Sequence, residues 1–166
     1  ALRVHPSPQL SPGGFLFFVV DQDDALMKTL LTTVFGVWSK AGEAATPDCV
    51  LHAMVANPPP MGGKRTVIVQ AVYIGEESNP EASTARLTEV IQPLLDLNPA
   101  VNTIQPMPWP KVNSIQDPFA PDGVQWRVTS YASDVVWTEA HVDGIIALDA
   151  RRPPPTALVF EHWGVG

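Results

Sequence analysis

Seven side chains of this 166-residue chain have the chemistry to orient a small polar organic molecule. They are His52 in CVLHAMVAN, Gln70 in KRTVIVQAVYIG, Gln125, Arg127, Thr129 and Tyr131 in GVQWRVTSYAS, and Glu161 in ALVFEHWGVG. Side chains alternate along a strand, so parity sorts them by face. Gln125, Arg127, Thr129 and Tyr131 then share one face, opposite Val124, Trp126, Val128, Ser130 and Ala132. Gln70 falls with Thr66, Ile68, Val72 and Ile74, His52 with Met54, and Glu161 with Trp163. Amides, a guanidinium, hydroxyls and an imidazole beside apolar groups can line a ligand cavity. The same residues also suit the solvated side of an antiparallel sheet. Only 16% of the chain is charged, which favours the first reading, because a purely solvated strand face carries more Lys and Glu.

None of this amounts to a catalytic signature. PMGGK lacks the Ser/Thr and the spacing of a phosphate-binding loop. His5, His52, His141 and His162 are scattered, with no pair at metal-ligand spacing, and His141 falls in the first turn of a helix, at the surface. Glu161 and His162 are neighbours on a strand and point to opposite faces, so they cannot act together on one ligand. No catalytic, cofactor-binding or metal-ligating residue is therefore assigned. The single cysteine, Cys49, excludes an internal disulfide and reads as a buried strand thiol with no base beside it. Trp38 and Trp109 read as packing residues.

Composition narrows the partners. A net charge of −7 argues against nucleic acid, whose phosphates call for clustered Lys and Arg. No apolar run reaches the roughly 18 residues of a membrane helix. GFLFFVV is too short for one and is followed by acids, not by a signal-peptide cleavage site. The compartment stays open. A hydrophobic fraction of 45% supports one folded domain.

The elements that must carry these residues follow from periodicity. FLFFVV (15–20), after the turn-like SPGG, predicts a first strand. Asp21 is placed to cap a helix whose apolar face is Leu26, Met27, Leu30, Leu31, Val34, Phe35 and Trp38, ending near Ala41. CVLHAMVAN (49–57) and KRTVIVQAVYIG (64–75) predict two strands joined as a hairpin through PPPMGGK. Asn79 and Pro80 read as the N-cap and first residue of a second helix with Leu87, Val90, Ile91, Leu94 and Leu95 inward and Pro93 near its end. NTIQPMPWPKVNSI reads as a brief extended piece and a short helix over 110–116. A strand over 123–133 follows, then a helix capped by Thr138 that carries Val142, Ile145, Ile146 and Leu148, and a last strand over 157–166. The fold class is α+β, a two-layer antiparallel sheet with helices packed on one face and the other left uncovered.

The ordered stretches resemble the berberine-bridge-enzyme-like, FAD-linked oxidoreductases of the vanillyl-alcohol-oxidase superfamily. LRVHPSP resembles the phrase that closes their flavin-binding domain, and TVIVQAVYIGEESNPEASTARLTEVIQPLLDL resembles a strand–acidic-turn–helix segment. PMPWPKVNSIQD resembles a "PMPY"-like element, VQWRVTSYASD a "YWKS"-like strand and VFEHWGVG an "EHLGGA"-like strand. The resemblance implies the substrate-binding half of such an enzyme, a sheet lying over the flavin. Residues 1–10 would be a remnant of the seam with the flavin domain, with Leu2 and Val4 shaped to pair with a strand of it. Residues 11–166 would be the substrate-binding domain, truncated at its C-terminal end. The flavin domain, with the pyrophosphate loop and the residues that tether the flavin, would lie in the same or another polypeptide.

Arg127 stands where the family commonly has Lys, and Val128 where Ser is common. Of the family's lining positions only Trp126, Arg127 and Glu161 carry over, and Arg127 is preferred to Trp126 because its face is the polar one. FAD is thus implied by the family and is not expected to bind tightly to this chain alone. The function expected is to cover the flavin and position an alcohol, sugar or natural-product substrate for hydride transfer. Two other readings stand beside it. One is a standalone, flavin-free descendant catalysing a non-redox step such as cyclisation; the other is a non-enzymatic binding module. Expected partners are a small organic substrate, the flavin-binding domain and, through the exposed sheet face, a homo-oligomer.

Overall fold

The structure is a computed structural model and describes residues 9–41, 48–75, 79–119, 123, 128, 137–153 and 156–161. Strands β1 (Leu10–Val19), β2 (Cys49–Ala56), β3 (Thr66–Tyr73), β4 (Val101–Asn102), β5 (Gln105–Pro108) and β6 (Leu158–Glu161) form one antiparallel sheet. Its order is β4-β1-β3-β2-β6, with β5 also on β1. Helices α1 (Asp24–Ala41), α2 (Pro80–Leu95) and α4 (Glu139–Asp149) pack on one face, and the short α3 (Trp109–Asn113) lies elsewhere. From β1 to β4 the connectivity is that of the ferredoxin-like split βαβ unit. The class is α+β, as the periodicity predicts. The strand predicted over 123–133, which carries Gln125, Trp126, Arg127, Thr129 and Tyr131, falls outside the described residues, apart from Gly123 and Val128. So do residues 1–8 and 162–166.

The main core lies between the sheet and the three long helices. Leu16, Phe18, Leu51, Ala53, Val55, Val67, Val69 and Ala71 point from the strands into it. Met27, Leu30, Leu31, Val34, Phe35 and Trp38 of α1 meet them, with Leu87, Ile91 and Leu94 of α2 and Val142 and Ile145 of α4. The three- and four-residue spacings in the sequence are this buried stripe. Leu148 is half exposed and is not part of it.

Helix starts follow local chemistry. Asn79 is the N-cap of α2, its side chain accepting from Ala82 N at 2.8 Å, with Pro80 in the first turn. At α1 the cap is Asp23, not Asp21: Asp23 Oδ1 accepts from Leu26 N at 2.8 Å. Asp21 instead turns the chain, with φ of 41°. Thr138 caps α4 in a reciprocal pair with His141, whose Nδ1 accepts from Thr138 N at 3.0 Å.

β1 begins earlier than the apolar run suggests, at Leu10, and runs through Pro12, Gly13 and Gly14. Pro12 faces Pro106 of β5, a pairing in which neither residue could donate an N–H to the other. Gly14 lies where the link between β4 and β5 crosses β1. A Cβ there would sit 2.6 Å from the backbone carbonyl of Thr103 and 2.7 Å from Ile104 Cα. SPGG is strand and not turn because it pairs with β5 and β3, and Gly14 in it admits the close approach of Thr103.

A buried ionic cluster fixes the far end of α4. Asp149, only 6% exposed, accepts from Arg152 Nε at 2.6 Å and lies 3.5 Å from the Arg65 guanidinium, which also pairs with Asp24 at 2.7 Å. Arg152 further donates to Asn57 Oδ1 at 2.6 Å and to the Thr156 carbonyl. The cluster therefore ties α4 and the approach to β6 onto the β2–β3 hairpin.

Gly14→Ala is expected to destabilise the protein by about 1–3 kcal/mol, because a Cβ pressed on backbone is relieved only by moving β4 and β5. Gly36→Ala in α1, where nothing lies within 4 Å of the added Cβ, should instead stabilise by up to about 1 kcal/mol through helix propensity. Urea denaturation of the two variants beside the parent checks both signs.

Candidate functional site

The face away from the three long helices is built as transverse rows, because antiparallel register places strand neighbours side by side. In one row Phe17 of β1 pairs with Ile68 of β3, Ile68 with Met54 of β2, and Met54 with Val159 of β6. The next row runs Phe15, Gln70, His52 and Glu161 through the same strands. The third holds Gly13, Val72 and Val50. Three of the seven candidate side chains, Gln70, His52 and Glu161, therefore stand shoulder to shoulder in the middle row.

This face is not bare along its whole length. β5, α3 and the segment after it pack Met107, Trp109, Val112 and Ile115 on Val72, Val50 and Ile74, a second small core on the side away from the three long helices. Trp109 and Trp38 are both packing residues, one in each core. Beyond Ile115 the chain turns through a 3-10 segment, Asp117–Phe119. Phe119 meets Phe15 edge-on with ring centroids 5.1 Å apart. Past the middle row β3 stays buried, with Ile68 1% and Thr66 0% exposed, while Met54 of β2 is half-buried and Val159 of β6 is exposed.

Gln116 reaches into that row from the edge of the cover. Its Nε2 lies 2.6 Å from Gln70 Oε1 and 3.0 Å from His52 Nδ1. An amide nitrogen only donates, so both of its hydrogens are used and His52 Nδ1 accepts. The proton of the neutral imidazole is consequently on Nε2. Gln70 is 8% exposed, His52 is half-buried, and Glu161 and Gln116 are exposed.

Burial pushes the His52 pKa below the ordinary imidazole value, and the Glu161 carboxylate opposes that shift only in part. His52 is therefore a neutral hydrogen-bonding group at neutral pH. Cys49, at the start of β2, is a free, half-buried thiol whose pKa burial raises to about 12, so it is protonated and not a nucleophile. Among the described residues no group of three or more His, Cys, Asp or Glu side chains could hold a metal ion, and no helix is long and apolar enough to cross a membrane.

Parity sorts Gln70, His52 and Glu161 each within its own strand, and the register brings the three to one face as neighbours. Gln125, Arg127, Thr129 and Tyr131 lie outside the described residues. Gln116 and Phe119 were not candidates: in NSIQDPF they follow a short helix, and no periodicity shows that this segment folds back over β3. The one available signal is the apolar trio Trp109, Val112 and Ile115, at helical spacing on a helix too short to join the main core. No protein-family model, curated protein or solved structure matches the chain, so its site is read from its own geometry.

The lowered pKa of His52 has a stability consequence. Its folded pKa is below the unfolded value, so the unfolded chain binds the proton more readily and stability falls as pH drops through the ordinary imidazole value, about 6.5. Above that range the contribution is intact. Replacing His52→Asn should flatten the decline in thermal midpoint between neutral pH and about pH 5, and an unchanged slope would show that His52 is not buried as described.

Proposed function

We propose that this chain is the substrate-binding portion of an FAD-dependent oxidoreductase of the berberine-bridge-enzyme-like kind. It covers the flavin and positions an alcohol, sugar or natural-product substrate for hydride transfer. One observation carries the reading: the sheet face away from the three long helices carries a hydrogen-bonding row, Gln70, His52 and Glu161, directly beside an apolar row. Small-molecule sites combine an apolar floor with a few placed polar groups in this way.

The residues present fit a flavin's ring and not its phosphates. Phe17 and Met54 are half-buried, Ile68 between them is 1% exposed and Val159 is 53% exposed, so the apolar contact offered to an aromatic ring lies along β2 and β6 and not across β3. Holding a pyrophosphate calls for a glycine-rich turn at a helix N-terminus or a cluster of basic side chains. Neither is present at this face among the described residues, so the flavin would be held by its own domain, in the same or another polypeptide. When bound, the flavin supplies the acceptor for the hydride. The work of this chain is to orient: His52 and Gln70 hold a polar substrate atom, Glu161 accepts a neighbouring hydrogen bond, and the apolar row excludes water from the substrate body. The same role is proposed for Gln125, Arg127, Thr129 and Tyr131.

Lumiflavin, the ring without ribityl or phosphate, is the direct probe. Titrated into ¹⁵N-labelled protein, it should bind weakly and shift amide signals on Met54, Gln70 and Val159, leaving α1 and α2 undisturbed. FAD should bind no tighter than lumiflavin. Shifts confined to other surfaces, or a tightly retained stoichiometric FAD complex, would contradict the proposal.

A further inference from the structure

The Gln116 amide does more than tether its segment to the sheet, because it sets which polar atoms the middle row has left to offer. A neutral imidazole has one donor nitrogen and one acceptor nitrogen, and a glutamine amide has one acceptor oxygen and one donor nitrogen. Gln116 donates to the acceptor of each: His52 Nδ1 at 3.0 Å and Gln70 Oε1 at 2.6 Å. What remains on His52 is the Nε2–H, and on Gln70 the amide N–H groups. No hydrogen bond from a described residue reaches either of them, and none reaches the Glu161 carboxylate next in the row. Two donors on adjacent strands, with Cβ atoms about 5 Å apart, can converge on one ligand atom.

We infer that Gln116 is a positioning residue that turns the His52–Gln70 pair into a donor-only clamp. The clamp selects a ligand with a neutral oxygen acceptor, such as a ketone, amide or lactone carbonyl, or an ether or hydroxyl oxygen. A carbonyl oxygen has two lone pairs and can accept from both donors. A ligand whose only polar group is an N–H would find an acceptor only at Glu161, one strand away, and would leave both clamp donors unpaired, which carries the desolvation cost of each. A carboxylate is disfavoured by Glu161 one strand away. The inference deepens the reading of this face as a substrate surface, and rests on that reading. It does not depend on the flavin.

The test uses two flat aromatic probes of similar size on the full chain. Acetophenone carries only an acceptor, and indole carries only an N–H donor. Acetophenone should bind about tenfold tighter than indole, a net hydrogen bond or so of difference, and should shift the side-chain N–H signals of His52 and Gln70. The ¹⁵N spectrum of the His52 ring should show the proton on Nε2 and none on Nδ1. Gln116→Glu replaces the shared donor by an acceptor. It should move the ring proton to Nδ1, turn the Gln70 oxygen outward and reverse the preference toward indole. Gln116→Leu should leave a mixture of ring tautomers and little selectivity.

Because Gln116 is exposed, these variants are expected to fold, and the wild-type tautomer tests the inference without any variant. A proton on Nδ1 in the wild type, equal binding of the two probes, or a preference that Gln116→Glu leaves unchanged would each overturn it. Acetophenone selectivity without lumiflavin binding would leave the clamp standing and remove the flavin reading. Lumiflavin binding without selectivity would do the opposite.

Discussion

The register of β3 between β1 and β2 is the constraint on which the rest of this structure depends. Seven consecutive pairs join β3 to β1 and eight join it to β2. A slip of one residue on either side would turn Val67, Val69 and Ala71 out of the main core and put Gln70 into it. The cost of burying an unpaired amide among Leu16, Val55 and Leu87 makes that slip prohibitive. The alternation that forms the core therefore also aligns Phe15, Gln70, His52 and Glu161 on the other side. Core and site are two faces of one register.

The two faces are finished differently. One is closed by long amphipathic helices with a continuous apolar stripe, which is ordinary hydrophobic burial. The other is closed over the row of Val72 and Val50 by a short helix whose Trp109, Val112 and Ile115 supply a second small core, and Ile68 and Thr66 beyond the middle row are buried as well. In the polar middle row Gln116 satisfies the acceptors of His52 and Gln70. At the opposite edge the buried Asp149 cluster fixes how α4 leads into β6, and β6 is the strand that brings Glu161 beside His52. Removing the Asp149 charge would leave Arg152 and Arg65 in a largely buried place without the carboxylate they share.

Much of this was legible in the sequence because the physical signals are local. Asn79–Pro80 declares a helix start, the spacing from Leu26 to Trp38 declares a buried stripe, and parity alone separates Gln70 and His52 from the core residues. What was not legible depends on distant chain. SPGG looks like a turn until β5 and β3 pair with it, and the link at Thr103 and Ile104 is laid against Gly14 and requires its missing Cβ. Asp21 looks like a helix cap, yet Asp23 takes that role because Asp21 N bonds the Arg65 carbonyl at 3.0 Å and turns the chain there. Gln116 carries no signal of its own. Its role comes from the folding back of a segment 46 residues beyond Gln70.

The central claim is that the middle row of the sheet face away from the three long helices is where this protein meets a small organic molecule. Solvent mapping tests it most directly: crystals soaked in turn in acetone, isopropanol and phenol, with each bound probe located by diffraction. The account predicts that the three probes superimpose over the row, with an oxygen against His52 Nε2 and the Gln70 amide and carbon over Met54 and Val159. Probes that gather on the outer side of α2 or at the hairpin tip, with this row holding only water, would contradict it.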